Sequence, residues 1–329
     1  MNDRRTYWHE RRALVTGATG LVGSHLVHAL LGFGAEVGVL VRDHDSRSEL
    51  FRSGDVRKVA VTEGHLESLA DVERAVAENA ASVVFHLGAQ TLVGVGLNAP
   101  LLTLESNVRG TYNLLEATRR QSRTVERIVV ASSDKAYGPS DHPYAEDDPL
   151  RASSPYDVSK AAADLIAQSY YATYDLRVGI VRCGNIYGGG DLNWSRIVPG
   201  TIRSFLKHEG PEIRSDGTYI RDYIYIGDVV GAYLDVAEAL DRPDVAGQAF
   251  NFATGTAMSV LDMVKAIAKV IGGELPGPRV LSVAKNEIKE QRLSTEKAKR
   301  VLGWRPRVSL EDGLRTTVAW YRDYLEANS

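Results

Sequence analysis

Short apolar runs alternate with amphipathic stretches along the first half of the chain. The first run, residues 13–16, precedes a glycine-rich turn and then apolar positions at Leu26, Val27, Leu30 and Leu31. A short continuous apolar run is typical of a buried strand, and spacings of three and four residues are typical of a helix. This first unit therefore predicts a strand, a turn and a helix.

The same alternation continues for about 180 residues. Further strands are predicted at residues 36–41, 82–87, 127–132 and 177–182, and helices at residues 66–78, 107–119 and 156–174. Strands that alternate with helices form a parallel sheet covered by helices on both faces. The sequence therefore predicts an α/β fold, a doubly wound parallel sheet of the Rossmann type.

The pattern changes after Gly184, where three glycines at residues 188–190 and a polar stretch at residues 212–219 interrupt it. Because a strand and helix pattern returns at residues 222–239, and a strand pattern at 248–252, we expect the chain to re-enter the main domain. The prediction is a dinucleotide-binding domain and a smaller, interleaved substrate lobe. Their bounds are residues 1–183 plus about 222–254 for the domain, and 184–221 plus 255–329 for the lobe.

Composition narrows the classes of partner. The chain has 329 residues, with 39 basic against 42 acidic side chains and a net charge of -3. No overall field attracts nucleic acid or an anionic membrane, so local groups must hold any anionic ligand. A single cysteine, Cys183, excludes an internal disulfide and argues against a metal site, and it suits a reducing compartment. No apolar stretch reaches the roughly 20 residues that span a bilayer. We expect a soluble, cytoplasmic protein without metal, nucleic acid or membrane partners.

The glycine turn carries the first candidate chemistry. Gly17, Gly20 and Gly23 lie between the first strand and the first helix. A tight turn, the close approach of a pyrophosphate and close packing of helix on strand each require glycine in dinucleotide-binding folds. The free N–H groups at the helix N-terminus would then meet the phosphates.

The end of the second strand bears on the choice of cofactor. An acidic residue there binds the ribose hydroxyls of NAD, and Asp43 is placed to do so. The adjacent Arg42 could instead accept the additional phosphate of NADP. We favour NAD and leave NADP open.

Tyr156 and Lys160 form the second candidate site. Four residues apart on a predicted helix, they lie on one face, so an ammonium can sit beside a phenol. The reference pKa of tyrosine is about 10, and an adjacent positive charge favours the phenolate. The pair can therefore act as a base towards an alcohol.

With these motifs the chain resembles a known family. TGATGLVG at residues 16–23, FHLGAQ at 85–90, NVRGT at 107–111, the Tyr156 and Lys160 pair, and RCGNIYG at 182–188 are similar to the extended short-chain dehydrogenases/reductases that modify nucleotide sugars. The resemblance implies that Ser133 hydrogen-bonds the sugar's 4-hydroxyl, Tyr156 removes its proton and Lys160 holds the nicotinamide ribose. It also implies transfer of a hydride from C4 to the cofactor, and a homodimer formed through the helices that hold Asn107 and Tyr156.

The same resemblance suggests the remaining ligands. Expected cofactor contacts are Gly17, Thr19, Gly20, Leu21, Val22, Gly23, Arg42, Asp43, Leu87, Gly88, Ala89, Asn107, Tyr156 and Lys160. Expected substrate contacts are Gln90, Ser133, Asn185, Arg196, Arg221 and Arg292. The last four are chosen because placed donors must hold a diphosphate, and the fork of arginine suits phosphate oxygens.

The segment Ser133-Asp134-Lys135 bears on the reaction. A 4,6-dehydratase needs an acid for the departing 6-hydroxyl and a base for the C5 proton, whereas a C4 epimerase needs neither. Asp134 is the candidate acid and Lys135 the candidate base, which would have to be neutral. This pair is closest to the branch of the family that acts on CDP-glucose. The alternatives are a C4 epimerase of a nucleotide-linked hexose or heptose and, more remotely, a noncatalytic dinucleotide sensor.

Overall fold

The computed structural model describes residues 2–283 and 287–328. Twelve strands in this part of the chain are β1 Arg12–Thr16, β2 Glu36–Val41, β3 Ala60–Glu63, β4 Val83–His86, β5 Arg127–Ala131, β6 Val178–Cys183, β7 Asn185–Tyr187, β8 Glu212–Ile213, β9 Ile220–Tyr225, β10 Ala249–Phe252, β11 Ala257–Ser259 and β12 Arg279–Val280.

Twelve α-helices accompany the strands. They are α1 Asn2–Trp8, α2 Leu21–Gly32, α3 Glu49–Arg52, α4 Leu69–Glu78, α5 Val93–Asn98, α6 Pro100–Leu104, α7 Gly110–Arg120, α8 Pro155–Tyr174, α9 Ile197–Leu206, α10 Ile226–Ala239, α11 Val260–Ile271 and α12 Leu310–Glu326. Two 3₁₀ turns, Asp55–Lys58 and Asp134–Tyr137, and two π turns, Glu105–Arg109 and Ala298–Leu302, complete the described elements. None of the described helices is long and apolar enough to cross a membrane.

A seven-stranded parallel sheet forms the centre of the fold, in the order β10-β6-β5-β4-β1-β2-β3. The strand order reverses between β1 and β4, because β2 continues on one side of β1 and β4 on the other. In an open α/β sheet, ligands bind in the crevice at such a switch point. The structure confirms the predicted doubly wound α/β fold.

Both faces of this sheet are buried, which explains the continuous apolar strands. Alternate residues of one strand enter different cores: Val15 packs with α2 and α10, and its neighbour Leu14 packs with α4, α7 and α8. A strand between two helical layers has no solvent face, so apolar and polar positions do not alternate. Thr62 is the only buried residue of edge strand β3, and the sequence pattern therefore did not reveal that strand.

Two small sheets lie beyond the carboxyl edge. One has the order β11-β9-β7 and the other pairs β12 with β8. Helices α9, α11 and α12 pack around a separate core that includes Ile202, Met263 and Val318. From β9 the chain enters α10, which packs on α2, and then β10, which pairs with β6. The division into two lobes at the bounds given above stays a prediction.

Candidate active site

In the glycine turn between β1 and α2, backbone packs so closely on backbone that side chains have no room. Gly17 has a φ of +72°, and a Cβ there would lie 2.6 Å from the Gly88 nitrogen. At Gly23 a Cβ would lie 2.1 Å from the carbonyl oxygen of Gly17. Gly20 is the N-cap of α2, and no side-chain hydrogen bond caps this end of the helix. The predicted contacts Thr19, Leu21 and Val22 belong to the same turn and the first residues of α2.

A buried chain of hydrogen bonds supports this turn. The Gly88 N–H donates to Thr16 Oγ1 at 3.1 Å, and Thr16 Oγ1 lies 2.9 Å from His86 Nδ1. On its other side, His86 Nε2 lies 3.1 Å from Thr111 Oγ1. Burial, together with the positive charge of Lys160, lowers the pKa of His86 to about 3. The neutral imidazole therefore acts as a hydrogen-bonded link between β1, β4 and α7.

Asn107 holds the loop that follows β4 at residues 87–90. Its Oδ1 accepts from the Gln90 N–H at 2.7 Å, and its Nδ2 donates to the Gln90 carbonyl at 3.0 Å and to Ser159 Oγ at 2.8 Å. Both amide hydrogens are thus used within the protein. The Asn107 side chain therefore positions the loop, and its predicted contact with the cofactor stays a prediction.

Arg42 and Asp43 follow β2 and form an ion pair with each other. Both side chains are more than half exposed, at 55% and 68%. The carboxyl end of β2 lies at the same sheet edge as the glycine turn, because the strands are parallel. Because an exposed ion pair is weak, both side chains stay accessible to a ligand, and the roles of Asp43 and Arg42 stay predictions.

The residues of this edge fit a dinucleotide. The turn lies at the switch point between β1 and β4, and glycine is required where its backbone meets the Gly88 segment. The N-terminus of α2 opens at the same place without a side-chain cap. Such an end favours a negatively charged group.

Tyr156 lies at the second position of α8, which begins after the N-cap Ser154. Its side chain is 8% exposed. Burial and the negative charge of Asp134 raise the pKa of Tyr156 to about 12, while the charge of Arg196 and a hydrogen bond with Ser133 act in the opposite direction. The structure therefore brings the predicted Ser133 and Tyr156 together, with the phenol protonated at neutral pH.

Lys160 is one turn further along α8 and is 6% exposed. Its Nζ donates to the Ala131 carbonyl at the end of β5, at 2.9 Å. Burial lowers the pKa of Lys160 to about 8, although the charge of Asp164 opposes this shift. The ammonium is thus held against the sheet edge beneath Tyr156.

Asp134 and Lys135 open the 3₁₀ turn that follows Ser133. Asp134 is 4% exposed, and its Oδ1 accepts from Ser133 Oγ at 3.0 Å. Lys135 is only half-buried, and its Nζ donates to Gln291 Oε1 at 3.0 Å. The turn therefore places a buried carboxyl beside the Ser133 hydroxyl, while the Lys135 ammonium contacts Gln291.

A cavity of about 880 Å³ lies between β7, β9 and α9. Three predicted substrate ligands, Asn185, Arg196 and Arg221, line it. Arg221 is 7% exposed, and its Nη1 donates to the Ile220 and Lys289 carbonyls at 2.8 and 3.1 Å. Arginines are prominent in the lining, which also includes Arg203, Arg214 and Arg279.

Arg292 and Gln90 are not among the residues that line the cavity, whereas Arg196 lines it and also pairs with Asp191 at 2.9 Å. The Nε of Arg292 lies 2.7 Å from Glu290 Oε1. The Gln90 amide donates to the Leu92 carbonyl and accepts from Thr103 Oγ1, each at 3.2 Å. The structure does not bring Arg292 to the cavity, and the Gln90 side chain forms its hydrogen bonds with residues near its own loop.

The comparison with family models decides the family. The model of the NAD dependent epimerase/dehydratase family matches residues 13–253, which is well over half of the chain. The chain belongs to the NAD dependent epimerase/dehydratase family. The family therefore confirms an enzyme with NAD as its cofactor, as predicted from the glycine turn and Asp43.

Curated relatives within this epimerase/dehydratase family catalyse different reactions. The chain is 32% identical to UDP-glucose 4-epimerase of Mycolicibacterium smegmatis, covering 95% of this chain and 99% of the relative. It is 30% identical to dTDP-glucose 4,6-dehydratase of Streptomyces griseus, covering 94% of each, and 29% identical to CDP-glucose 4,6-dehydratase of Salmonella typhimurium, covering 98% and 93%. These identities are too close to choose between the reactions.

Solved structures of similar proteins agree with the family. MoeE5 in complex with UDP-glucose and NAD is 33% identical, with a TM-score of 0.83 over 95% of this chain and 99% of that one. A double mutant of the dTDP-glucose 4,6-dehydratase DesIV of Streptomyces venezuelae, solved with NAD bound, is 28% identical, with a TM-score of 0.86 over 96% and 98%.

The sequence analysis missed several polar groups of this epimerase/dehydratase site. Thr201 Oγ1 and Tyr223 Oη are buried at the cavity and, within the described residues, have no hydrogen-bond partner. Gln291, which accepts from Lys135, comes from a segment 156 residues away in sequence. Asp157 follows Tyr156, and its Oδ1 is also buried without a partner among the described residues. Only the Tyr156 motif pointed towards Asp157, and no sequence signal marked the others.

Proposed function

We propose that this chain is a nucleotide-sugar 4,6-dehydratase, which oxidises C4, removes water across C5 and C6, and yields a 4-keto-6-deoxy sugar. The observation that carries the proposal is the buried carboxyl of Asp134, hydrogen-bonded to Ser133 and close to Tyr156. Oxidation and reduction at C4 need only the alcohol base and the cofactor. Elimination of water also requires an acid that protonates the departing 6-hydroxyl, and the buried Asp134 carboxyl can supply that proton.

Ser133, Tyr156 and Lys160 prepare the 4-hydroxyl. NAD, when bound, accepts the hydride from C4 and later returns it to C6. Tyr156 is protonated at neutral pH because burial raises its pKa to about 12. To accept the proton of the 4-hydroxyl, Tyr156 must pass its own proton on, and Ser133 is its hydrogen-bond partner.

Ser133 connects this step to the loss of water. Its hydroxyl donates to Asp134 Oδ1 at 3.0 Å, so the residue expected to bind O4 also contacts the candidate acid. Asp134 in its acid form protonates the departing 6-hydroxyl and becomes a carboxylate. The proton lost from O4 balances the proton that leaves in the water, and Asp134 is reprotonated before the next turnover.

The arginine-lined cavity would hold the nucleotide. The Asn185 amide and the Arg196 and Arg221 guanidiniums can meet a diphosphate that the almost neutral protein does not otherwise attract. Thr201 and Tyr223 also line this cavity. The Asp134 and Lys135 pair favours CDP-glucose as the substrate.

A C4 epimerase is the second candidate. It is supported by the UDP-glucose 4-epimerase that is 32% identical over 95% of this chain. The contact of Lys135 with Gln291 also suits a lysine that binds substrate rather than one that removes a proton. In that enzyme, Asp134 and Lys135 would be substrate ligands.

A homodimer and a cytoplasmic location complete the proposal. Large apolar side chains are exposed on α5, α6, α7 and α8, and a second copy of this chain would cover them. This apolar face consists of Leu97, Leu101, Leu102, Leu104, Tyr112, Val158 and Leu165. Leu114 and Leu115 belong to the core instead. The one cysteine, Cys183, is buried and free, so the fold needs no oxidising compartment.

The test is to incubate the protein with NAD and, separately, with CDP-, dTDP-, GDP-, UDP- and ADP-linked hexoses. Loss of one water from a substrate supports the dehydratase and names its nucleotide. An isomer of unchanged mass supports the epimerase. With the accepted substrate, Asp134→Asn should still oxidise C4 but should slow water loss by about 100-fold or more, which is typical of a lost general acid.

A further inference from the structure

Asp157 belongs to a capping motif that begins four of the described helices. A serine N-cap followed three residues later by aspartate begins α4, α8, α11 and α12. The carboxyls of Asp262 and Asp312 lie mostly exposed and accept from their N-cap serines at 2.7 and 2.6 Å. Capping explains why aspartate occupies this position in all four helices.

Capping does not explain the surroundings of Asp157. Its backbone N–H donates to Ser154 Oγ at 3.3 Å, as in the other three motifs. Its Oδ1, however, is buried and, within the described residues, has no hydrogen-bond partner. A buried carboxylate oxygen without a partner is costly unless a ligand or function compensates.

The electrostatics of Asp157 also set it apart. Burial raises its pKa, against a hydrogen bond with Ser154 and the positive charge of Lys135, while the negative charge of Asp134 adds to the rise. The pKa of the capping Asp262 is lowered instead, chiefly by its bond from Ser259. The charged groups that act on the pKa of Asp157 are thus Lys135 and Asp134, the two ionisable residues of the proposed dehydration step.

Lys135 is less suited to removing a proton from carbon. Its Nζ already donates to Gln291 Oε1, and an ammonium has three donors and no acceptor. A carboxylate has only acceptors and can take a proton directly. The neighbouring lysine can then hold the developing enolate oxygen or the carboxylate itself by its charge.

We propose that Asp157 is the base that removes the C5 proton, and that Lys135 is a positioning cation beside it; this inference rests on the proposed dehydratase function. The C5–H electron pair forms the C5–C6 double bond while the C6–O bond breaks. Asp134 gives its proton to the leaving hydroxyl, which departs as water. When the hydride returns to C6, Asp157, whose acid proton has exchanged with water in the meantime, protonates C5, so atoms and charge balance over the cycle.

The test compares Asp157→Asn with the wild type and with Asp312→Asn as a matched capping control. Each protein is incubated with the accepted nucleotide hexose and NAD in D₂O, and cofactor reduction, water loss and deuterium at C5 are measured. We expect Asp157→Asn to retain cofactor reduction and to lose at least about 100-fold in water loss and C5 labelling. Asp312→Asn should match the wild type in all three.

Two further variants keep the inference falsifiable if Asp157→Asn folds poorly. Asp157→Glu keeps a carboxylate but moves it by one methylene, and should retain C5 labelling at a rate about 10-fold lower. Lys135→Met should keep measurable C5 labelling. Wild-type C5 labelling in Asp157→Asn, or its complete loss in Lys135→Met alone, would overturn the assignment.

The two proposals fail in distinguishable ways. If the wild type removes no water from any nucleotide hexose, the dehydratase function fails. If the wild type removes water and Asp157→Asn does so equally fast, only the role of Asp157 fails. In the pH profile, the rate should fall as the pH drops through the raised pKa of Asp157, and this limb should shift in Asp157→Glu.

Discussion

The two sides of the candidate site are built from different materials. The cofactor side is a backbone surface in which Gly17 and Gly23 allow β1, α2 and the Gly88 segment to approach closely. The substrate side is made from side chains, and Arg221 and Gln291 come from segments far from the 3₁₀ turn that opens at Asp134. Where backbone packs on backbone, an added Cβ has no room. Where side chains form the site, a substitution can be accommodated but changes the chemical groups that meet the substrate. The first side therefore fixes the cofactor, and the second decides the reaction.

The largest effect is expected from a substitution on the cofactor side, which should abolish NAD binding. In Gly17→Ala a methyl group would lie 2.6 Å from the Gly88 nitrogen, at a φ of +72° that alanine rarely adopts. We expect NAD binding to be lost and the free energy of unfolding to fall by about 3 kcal/mol or more. Gly32→Ala is the control, because a Cβ there meets nothing within 4 Å. Calorimetric NAD titration and urea unfolding measure both variants, and normal NAD affinity in Gly17→Ala would contradict the backbone account.

A smaller effect is expected on the substrate side. Arg221→Lys keeps the positive charge but loses the planar fork, which donates to the Ile220 and Lys289 carbonyls. The KM for the nucleotide sugar should rise by about 10-fold, which corresponds to about 1.4 kcal/mol, while NAD affinity stays unchanged. Arg292→Lys should change KM less than twofold, roughly as expected for a surface charge. Steady-state kinetics of both variants test this, and equal effects would restore Arg292 as a ligand.

The smallest effect concerns the hydrogen-bonded link beneath the cofactor side. The pKa of His86 is lowered to about 3 in the folded protein, chiefly by burial, whereas the unfolded chain takes up a proton near pH 6.5. Between these values the unfolded state binds more protons, so folding stability is lost as the pH falls. The slope attributable to His86 is at most about 1.4 kcal/mol per pH unit. Urea unfolding from pH 7 to pH 5 should show a shallower slope in His86→Asn, and parallel slopes would contradict a neutral His86.

The sequence predicted the fold around the glycine turn and NAD as the cofactor because the determinants of both are local. The glycines, the strand before them and the helix after them lie in one short segment, and the Tyr156 and Lys160 pair needs only the helical period. Edge strand β3 was missed because its single buried residue, Thr62, leaves no apolar run.

The substrate side could not be predicted as fully because it depends on tertiary contacts. An isolated arginine gives no signal of whether it lines the cavity, as Arg221 does, or pairs at the surface, as Arg292 does. In the sequence, Asp157 cannot be distinguished from a helix-capping residue. Only the fold buries its Oδ1 without a partner among the described residues and brings the carboxyl under the charges of Asp134 and Lys135.

The most direct test of the dehydratase proposal follows a deuterium atom placed on C4 of the accepted nucleotide hexose. The proposed sequence of C4 oxidation, water loss and hydride return predicts a product that has lost one water and carries the deuterium at C6. Deuterium returned to C4 of an isomer of unchanged mass would contradict it, and would make Asp134 and Lys135 ligands of an epimerase.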